Sequence, residues 1–276
     1  MSYFDFRKQI ADSRERSVCY LLSAIFEKML RTLWVILVAV FVSATAGFCV
    51  LMVAIFSSKS PLIDSLNRWW ARSLLGAAGI DLHREGMEKI DPTKRYVLIS
   101  NHYSYFDIPC ILVAVPQPIR FMAKASLFKI PIFGWALGRA GFIPVDRKNR
   151  RTAVKSFDLA AERIRKGNTI VIFPEEGRSR ARQMRPFQRG AFLLAIKAQM
   201  PMMPIAVDGT FDVFRVGAKR VTPGKVTVRV GEMVDCANTK LRDKERLAID
   251  SRAQIEEMLG VFGTSESRRA ELEAEG

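Results

Sequence analysis

A chain of 276 residues could hold one large domain or two small ones. About 200 residues remain for a globular core once an apolar N-terminal run is set aside, so one folded domain is expected. Lys and Arg number 43 against 28 Asp and Glu, and the resulting +15 points to nucleic acid, an anionic membrane surface, or an acidic or phosphorylated partner without choosing among them. Cys19, Cys49, Cys110 and Cys236 are scattered with no C-x-x-C pair, which speaks against a disulfide framework or a zinc site and suits a reducing, cytoplasm-facing catalytic part.

From Leu33 to Phe56, 24 residues pass without a charge. At roughly 1.5 Å per residue such a run crosses about 30 Å of hydrocarbon, and it is too long for the apolar part of a signal peptide, so it reads as a retained anchor. Arg7, Lys8, Arg14, Arg16, Lys28 and Arg31 precede it and many more basic residues follow, so both flanks are pulled toward the cytoplasm. A single span cannot satisfy both flanks. A break in the weakly helical Ser43–Gly47 stretch would make the segment a re-entrant hairpin, and both topologies stay open. Next, Leu62, Leu66, Trp69, Trp70, Leu74 and Leu75 recur at helical spacing with Asp64, Arg68 and Arg72 between them. Such a helix suits the bilayer interface or the core.

From residue 95 onward, short apolar strands alternate with helical patterns. Strands are expected at 95–100, 119–124, 141–145, 169–173, 203–207 and 225–230. Helices are expected over 108–115, along the face Val154, Phe157, Ala160, Ala161 and Ile164 before Gly167, along Phe187, Ala191, Leu194, Ala195 and Ala198, and over 241–259. The pattern predicts an α/β fold, layered, with a largely parallel sheet flanked by helices and preceded by an N-terminal membrane-anchoring helical segment. The division expected is 1–90 for the anchor and interfacial helices, 91–262 for the α/β domain and 263–276 for a flexible charged tail. No internal repeat is found.

His102 directly follows the strand at 95–100, where open α/β sheets place their chemistry, and Asp107 lies five residues on. A neutral imidazole accepts a proton near pH 7, and a carboxylate on its other nitrogen would set the tautomer. Asp107 could equally be a helix N-cap, with Pro109 in the first turn, and His102 a satisfied loop histidine. Three further stretches recur at strand ends: Arg147 closes "GFIPVDR", Glu175 and Arg178 stand in "FPEEGRSR", and Pro201 and Pro204 bracket another buried strand. Two arginines at neighbouring strand ends would make a phosphate clamp, while each alone could be a solvated charge.

In these four ordered blocks the chain resembles the glycerolipid acyltransferases, whose best-known members are 1-acylglycerol-3-phosphate acyltransferases. The blocks are N-H-x-x-x-x-D at Asn101, His102 and Asp107; the Gly-rich strand from Gly141 to Arg147; the F-P-E-G-[ST]-R-S block at Phe173 to Ser179; and the proline-bracketed strand at Pro201 to Pro204. One departure stands out: Glu176 and Gly177 occupy the positions where the family usually has Gly and then Ser or Thr. This puts the shape of the acceptor loop, and with it the acceptor head group, in question.

The resemblance implies transfer of a fatty acyl chain from an acyl thioester to the sn-2 hydroxyl of 1-acylglycerol-3-phosphate, giving phosphatidic acid, with the catalytic domain facing the cytoplasm from the inner membrane. It implies His102 as base and Asp107 as its partner, with Arg147, Glu175, Gly177, Arg178 and Ser179 around the acceptor and Lys124 at a basic position common in the family. No metal and no resident cofactor are expected; acyl-CoA or an acidic acyl carrier protein serves as co-substrate, and membrane lipids rather than nucleic acid are the partners. Arg178, Arg180, Arg182, Arg185 and Arg189 fall within twelve residues, a density that would attract anionic head groups or the carrier protein. Another lysolipid acceptor, such as a lyso-ornithine lipid, is the alternative substrate. A serine hydrolase is disfavoured because no G-x-S-x-G occurs and only His83 remains as a second histidine. A non-catalytic basic membrane-binding protein would leave the strand-end residues unexplained.

Overall fold

A computed structural model describes residues 3–146 and 150–260, without the side chains of residues 3–25, 150, 151, 153 and 154. Its N-terminal helix α1 runs unbroken from Tyr3 to Phe56. The stretch Phe26–Phe56 is long and apolar enough to cross a membrane. No break occurs at Ser43–Gly47. The small side chains there serve packing instead: Ala46 and Gly47 are buried, and Ser43 Oγ accepts from Trp70 Nε1–H at 3.0 Å. One face of α1 is buried through Val35, Val42, Ala46, Val50 and Ala54, while Leu33, Ile36, Leu37, Phe41, Phe48 and Phe56 are exposed.

Helix α2 (Pro61–Ala78) folds back along α1. Ser60 caps it by accepting from Leu62 N–H, Pro61 opens its first turn, and Gly79 closes it in the left-handed conformation at φ 70°. Arg68 donates to the carbonyls of Leu112, Pro116 and Gln117, and Asp64 pairs with Arg120, so α2 is fastened to the α/β domain.

The rest is a seven-stranded sheet in the order β1-β7-β6-β2-β5-β3-β4. Its strands are β1 (Ile80–Glu85), β2 (Val97–Ser100), β3 (Ile119–Lys124), β4 (Ile143–Val145), β5 (Thr169–Ile172), β6 (Met202–Asp208) and β7 (Gly224–Val230). All pairings are parallel except β6 with β7. The helices are α3 (Asp107–Ala114), α4 (Phe133–Arg139), α5 (Arg150–Arg165), α6 (Leu193–Ala198), α7 (Thr210–Phe214) and α8 (Lys244–Met258). β2 and β5 are buried along their length, and apolar but for Ser100 and Thr169, because both of their faces are covered. Leu98, Val171 and Met203 face a core shared with α1, α2 and α3; Val97, Ile99, Ile170, Ile172 and Met202 face the opposite core with α5, α6 and α8.

Strands β2 to β7 fall where the periodicity puts them. β1 does not: its six residues lie before residue 90, so a strand of the sheet stands on the anchor's side of the expected boundary. Its half-exposed sequence "IDLHRE" carries no continuous apolar run, being an edge strand. The helix expected from Phe187 starts later, with a 3-10 turn at Arg189–Phe192 before α6. The tail at 263–276 lies outside the described residues.

Candidate active site

Because β2, β5, β3 and β4 are parallel and β6 runs the same way beside β2, their carboxyl ends share one edge of the sheet. His102 leaves β2 at this edge, Glu175 and Arg178 follow β5, Lys124 ends β3, and Thr210 follows β6. Arg147, expected just beyond β4, lies outside the described residues.

The chain turns sharply after β2, so that Asp107, first residue of α3, comes back under the loop. Asp107 Oδ2 accepts from His102 Nδ1–H, Tyr103 N–H and Ser104 N–H, each at 2.8 Å. Its Oδ1 accepts from Thr210 Oγ–H at 2.5 Å. Asp107 is therefore both a partner for the imidazole and a clasp for the backbone that carries it. A fully buried carboxylate surrounded by donors offers Nδ1 only an acceptor, so Nδ1 carries a proton, and in the neutral ring the lone pair is the one on Nε2. The imidazole stacks on Phe173 at 4.1 Å and 18°, and Phe173, Phe121 and Phe142 continue the stack. Asn101 exchanges two hydrogen bonds with the backbone of Val207, pinning the end of β2 to β6.

Glu175, expected at the acceptor, is 1% exposed and holds the loops together. Its Oε1 accepts from His102 N–H at 2.7 Å and its Oε2 from Arg185 N–H at 2.8 Å. Burial pushes this carboxyl up to about 7, against the pull of the two N–H donors. Ser179 is also buried, and its N–H donates to the His102 carbonyl at 3.0 Å. A Cβ on Gly177 would lie 2.6 Å from Arg185 Nη1, so only glycine lets that guanidinium lie across the loop. Glu176 takes φ 53°, a conformation glycine adopts without strain. The loop therefore turns left-handed where the family usually has its glycine, although the residue there is glutamate.

Arg178 lies flat on the Tyr105 ring, its guanidinium carbon 3.3 Å from the ring centroid, and its buried Nη1 has no hydrogen-bond partner. An unpartnered guanidinium nitrogen beside the His102 loop is suited to an anion. Lys124 is exposed at the end of β3, two strands from His102. The wider arginine cluster is partly neutralised: Arg182 pairs with Asp212 and Arg189 with Glu245.

Between α1, α2, α4 and β3 lies an apolar cavity of about 120 Å³, lined among others by Gly47, Trp70, Leu112, Phe121 and Phe142. Phe121 belongs both to this lining and to the stack that ends at the His102 ring. Among the described residues no cluster of His, Cys, Asp and Glu could hold a metal ion. Sequence reasoning missed Thr210, Tyr105 and Phe173. The position of Thr210 one residue after the glycine that ends "AVDG" was the only available hint.

Fold and site together define a mixed α/β protein with a carboxylate-steered imidazole at the mouth of its sheet, backed by an apolar cavity. Residues 81–208 match the Acyltransferase family. Over that stretch the chain is similar to the glycerolipid acyltransferases. It is 34% identical over 125 residues to a chloroplastic 1-acyl-sn-glycerol-3-phosphate acyltransferase of Brassica napus, covering 45% of this chain and 36% of that protein. With the alpha form of Mus musculus it shares 34% over 154 residues, 55% of this chain and 54% of the other. Matches to such relatives span between 36% and 60% of their length. The fold is that of the crystal structure of the 1-acyl-sn-glycerophosphate acyltransferase PlsC from Thermotoga maritima, with a TM-score of 0.72 at 24% identity over 87% of this chain and 99% of that one.

Proposed function

We propose that this protein transfers a fatty acyl chain from an acyl thioester to the sn-2 hydroxyl of 1-acylglycerol-3-phosphate, giving phosphatidic acid. The observation that carries the reading is the His102–Asp107 pair joined, through stacked Phe173 and Phe121, to an apolar cavity beside the anchor. His102 Nε2 takes the proton of the acceptor hydroxyl as its oxygen attacks the thioester carbonyl. The carbon–sulfur bond then breaks, and the imidazolium returns the proton to the departing thiolate. Asp107 stabilises the transient imidazolium, so no acyl-enzyme forms. Arg178 receives the acceptor phosphate, with Lys124 as a further cation at the same edge; the resemblance adds Arg147 to this set. The cavity takes part of an acyl chain.

The donor is coenzyme A or acyl carrier protein, and the protein acts at the inner membrane with this domain facing the cytoplasm. The test is a panel of lysolipids, lyso-ornithine lipid included, each offered with both donors to the purified protein. Thiol release is followed with a thiol reagent and products are identified by mass spectrometry. Phosphatidic acid formed with equimolar thiol supports the proposal; lysolipid lost without any donor would mean a hydrolase. His102→Ala should lower turnover by about 10² to 10⁴ with an unchanged unfolding temperature.

A further inference from the structure

From Ile108 to Val145, 38 residues pass without an acidic side chain, and Arg120, Lys124, Lys129 and Arg139 fall among them. This stretch contains a turn, Leu127 to Ile132, that leads into α4 and leaves Leu127, Ile130, Ile132 and Trp135 exposed, the last at 61%. Lys124 and Arg139 are exposed on its flanks, and Lys129 is exposed within it. Ile132 takes φ 62°, a conformation rarely accepted by a β-branched residue. A surface meeting only water seldom gathers so many large apolar side chains at one turn.

The position of this turn says what covers it. A Cβ on Gly47 of α1 would lie 3.5 Å from Ile132 Cγ2 and 3.7 Å from Ala136 Cβ, so the turn and α4 sit against α1. Phe48, next in the chain, is exposed, as are Phe41 and Phe56. The apolar surface of the turn thus continues that of α1. Gly47 stands nine residues, about 14 Å, before the end of α1, within the apolar run and away from its polar tip. We infer that the turn from Leu127 to Trp135 is a second membrane-inserting element, sunk among acyl chains beside α1. Lys124, Lys129 and Arg139 meet anionic head groups around it. The inference rests on membrane association and not on acyl transfer.

Tryptophan quenching by brominated acyl chains tests it, since the chain has four tryptophans. The full-length W34F/W69F/W70F variant keeps only Trp135, and W69F/W70F/W135F keeps only Trp34 on the exposed stripe of α1. Each is reconstituted into phosphatidylethanolamine–phosphatidylglycerol vesicles with and without brominated chains. The expected result is at least a twofold loss of Trp135 emission, similar to that of Trp34. Quenching of Trp34 alone overturns the inference, because the turn then faces water or a protein; quenching of neither overturns it too. Should the tryptophan variants unfold in detergent, a nitroxide on I130C in a C19S/C49S background reads the same depth. Preferential collision with oxygen supports the inference, and preferential collision with a nickel chelate overturns it.

Discussion

At the residue scale, Asp107 accepts four hydrogen bonds, and three of their donors lie outside the imidazole. The two backbone donors fix the loop. The Thr210 hydroxyl is the one that can be removed without touching the backbone. Thr210→Val keeps the shape of a fully buried side chain and deletes a hydrogen bond to a charged group, of about 1.5 to 3 kcal/mol. Turnover should fall about tenfold with little change in KM, and the pH–rate profile should shift. Thr210→Ser should restore both, whereas a purely structural role would lower the unfolding temperature and leave the pH profile in place.

Arg178 presents the complementary case. Its plane is set by Tyr105 and its Nη1 has no partner, so charge alone does not describe its role. Arg178→Lys keeps the charge but loses the flat stack and the two-pronged donor. KM for a phosphate-bearing acceptor should rise about tenfold, with a smaller effect on an acceptor lacking the phosphate. Steady-state kinetics with the two acceptors would show it, and an equal effect on both would remove Arg178 from the phosphate.

At the element scale, Glu175 ties the loop after β5 to the loop after β2, and Arg252 of α8 adds to the brace by donating to the carbonyl of Arg185. The carboxyl stands near 7 in the folded protein, raised by burial above the ordinary glutamate value of 4.5. A raised acid favours its neutral form when folded. Its stabilising contribution is complete below pH 4.5 and is lost as pH climbs through about 7. Between pH 5 and 8 the wild type should therefore lose about 2 to 3 kcal/mol more stability than Glu175→Gln, which cannot titrate there. Denaturant unfolding at the two pH values measures this difference. Equal slopes would mean that the buried carboxyl does not titrate over this range.

The elements were legible where their own side chains dictate them. β3 occupies the expected "IRFMAK", and β2 and β5 are the apolar runs expected of strands covered on both faces. α4 and α7 were missed because they have seven and five residues, too few to show a helical repeat. β1 was missed because an edge strand needs no apolar run.

At the scale of the whole molecule, the attachment of α2 decides how anchor and sheet are related. The Arg68 guanidinium takes the carbonyls of Leu112, Pro116 and Gln117 at the end of α3, which have few other donors within reach. Arg68→Ala leaves the Leu112 and Gln117 carbonyls without this donor beneath α2, while water can reach that of Pro116, and should cost about 1 to 3 kcal/mol. Thermal unfolding in detergent should show a fall of several degrees. An unchanged midpoint would mean that the Asp64–Arg120 pair and apolar packing suffice to hold α2.

The order of residues alone determined that an apolar helix precedes an α/β domain, and that His102, Glu175 and Arg178 each leave the end of a strand. Periodicity and strand-end position are local properties, written in stretches of ten to twenty residues. Only the tertiary structure decided that Thr210 completes the Asp107 clasp across 103 positions of chain, and that Glu175 braces the loops after β2 and β5. It also decided that Ser43–Gly47 is a packing surface and not a break. Each of these depends on which distant group fills the space around a side chain, and no local pattern carries that information.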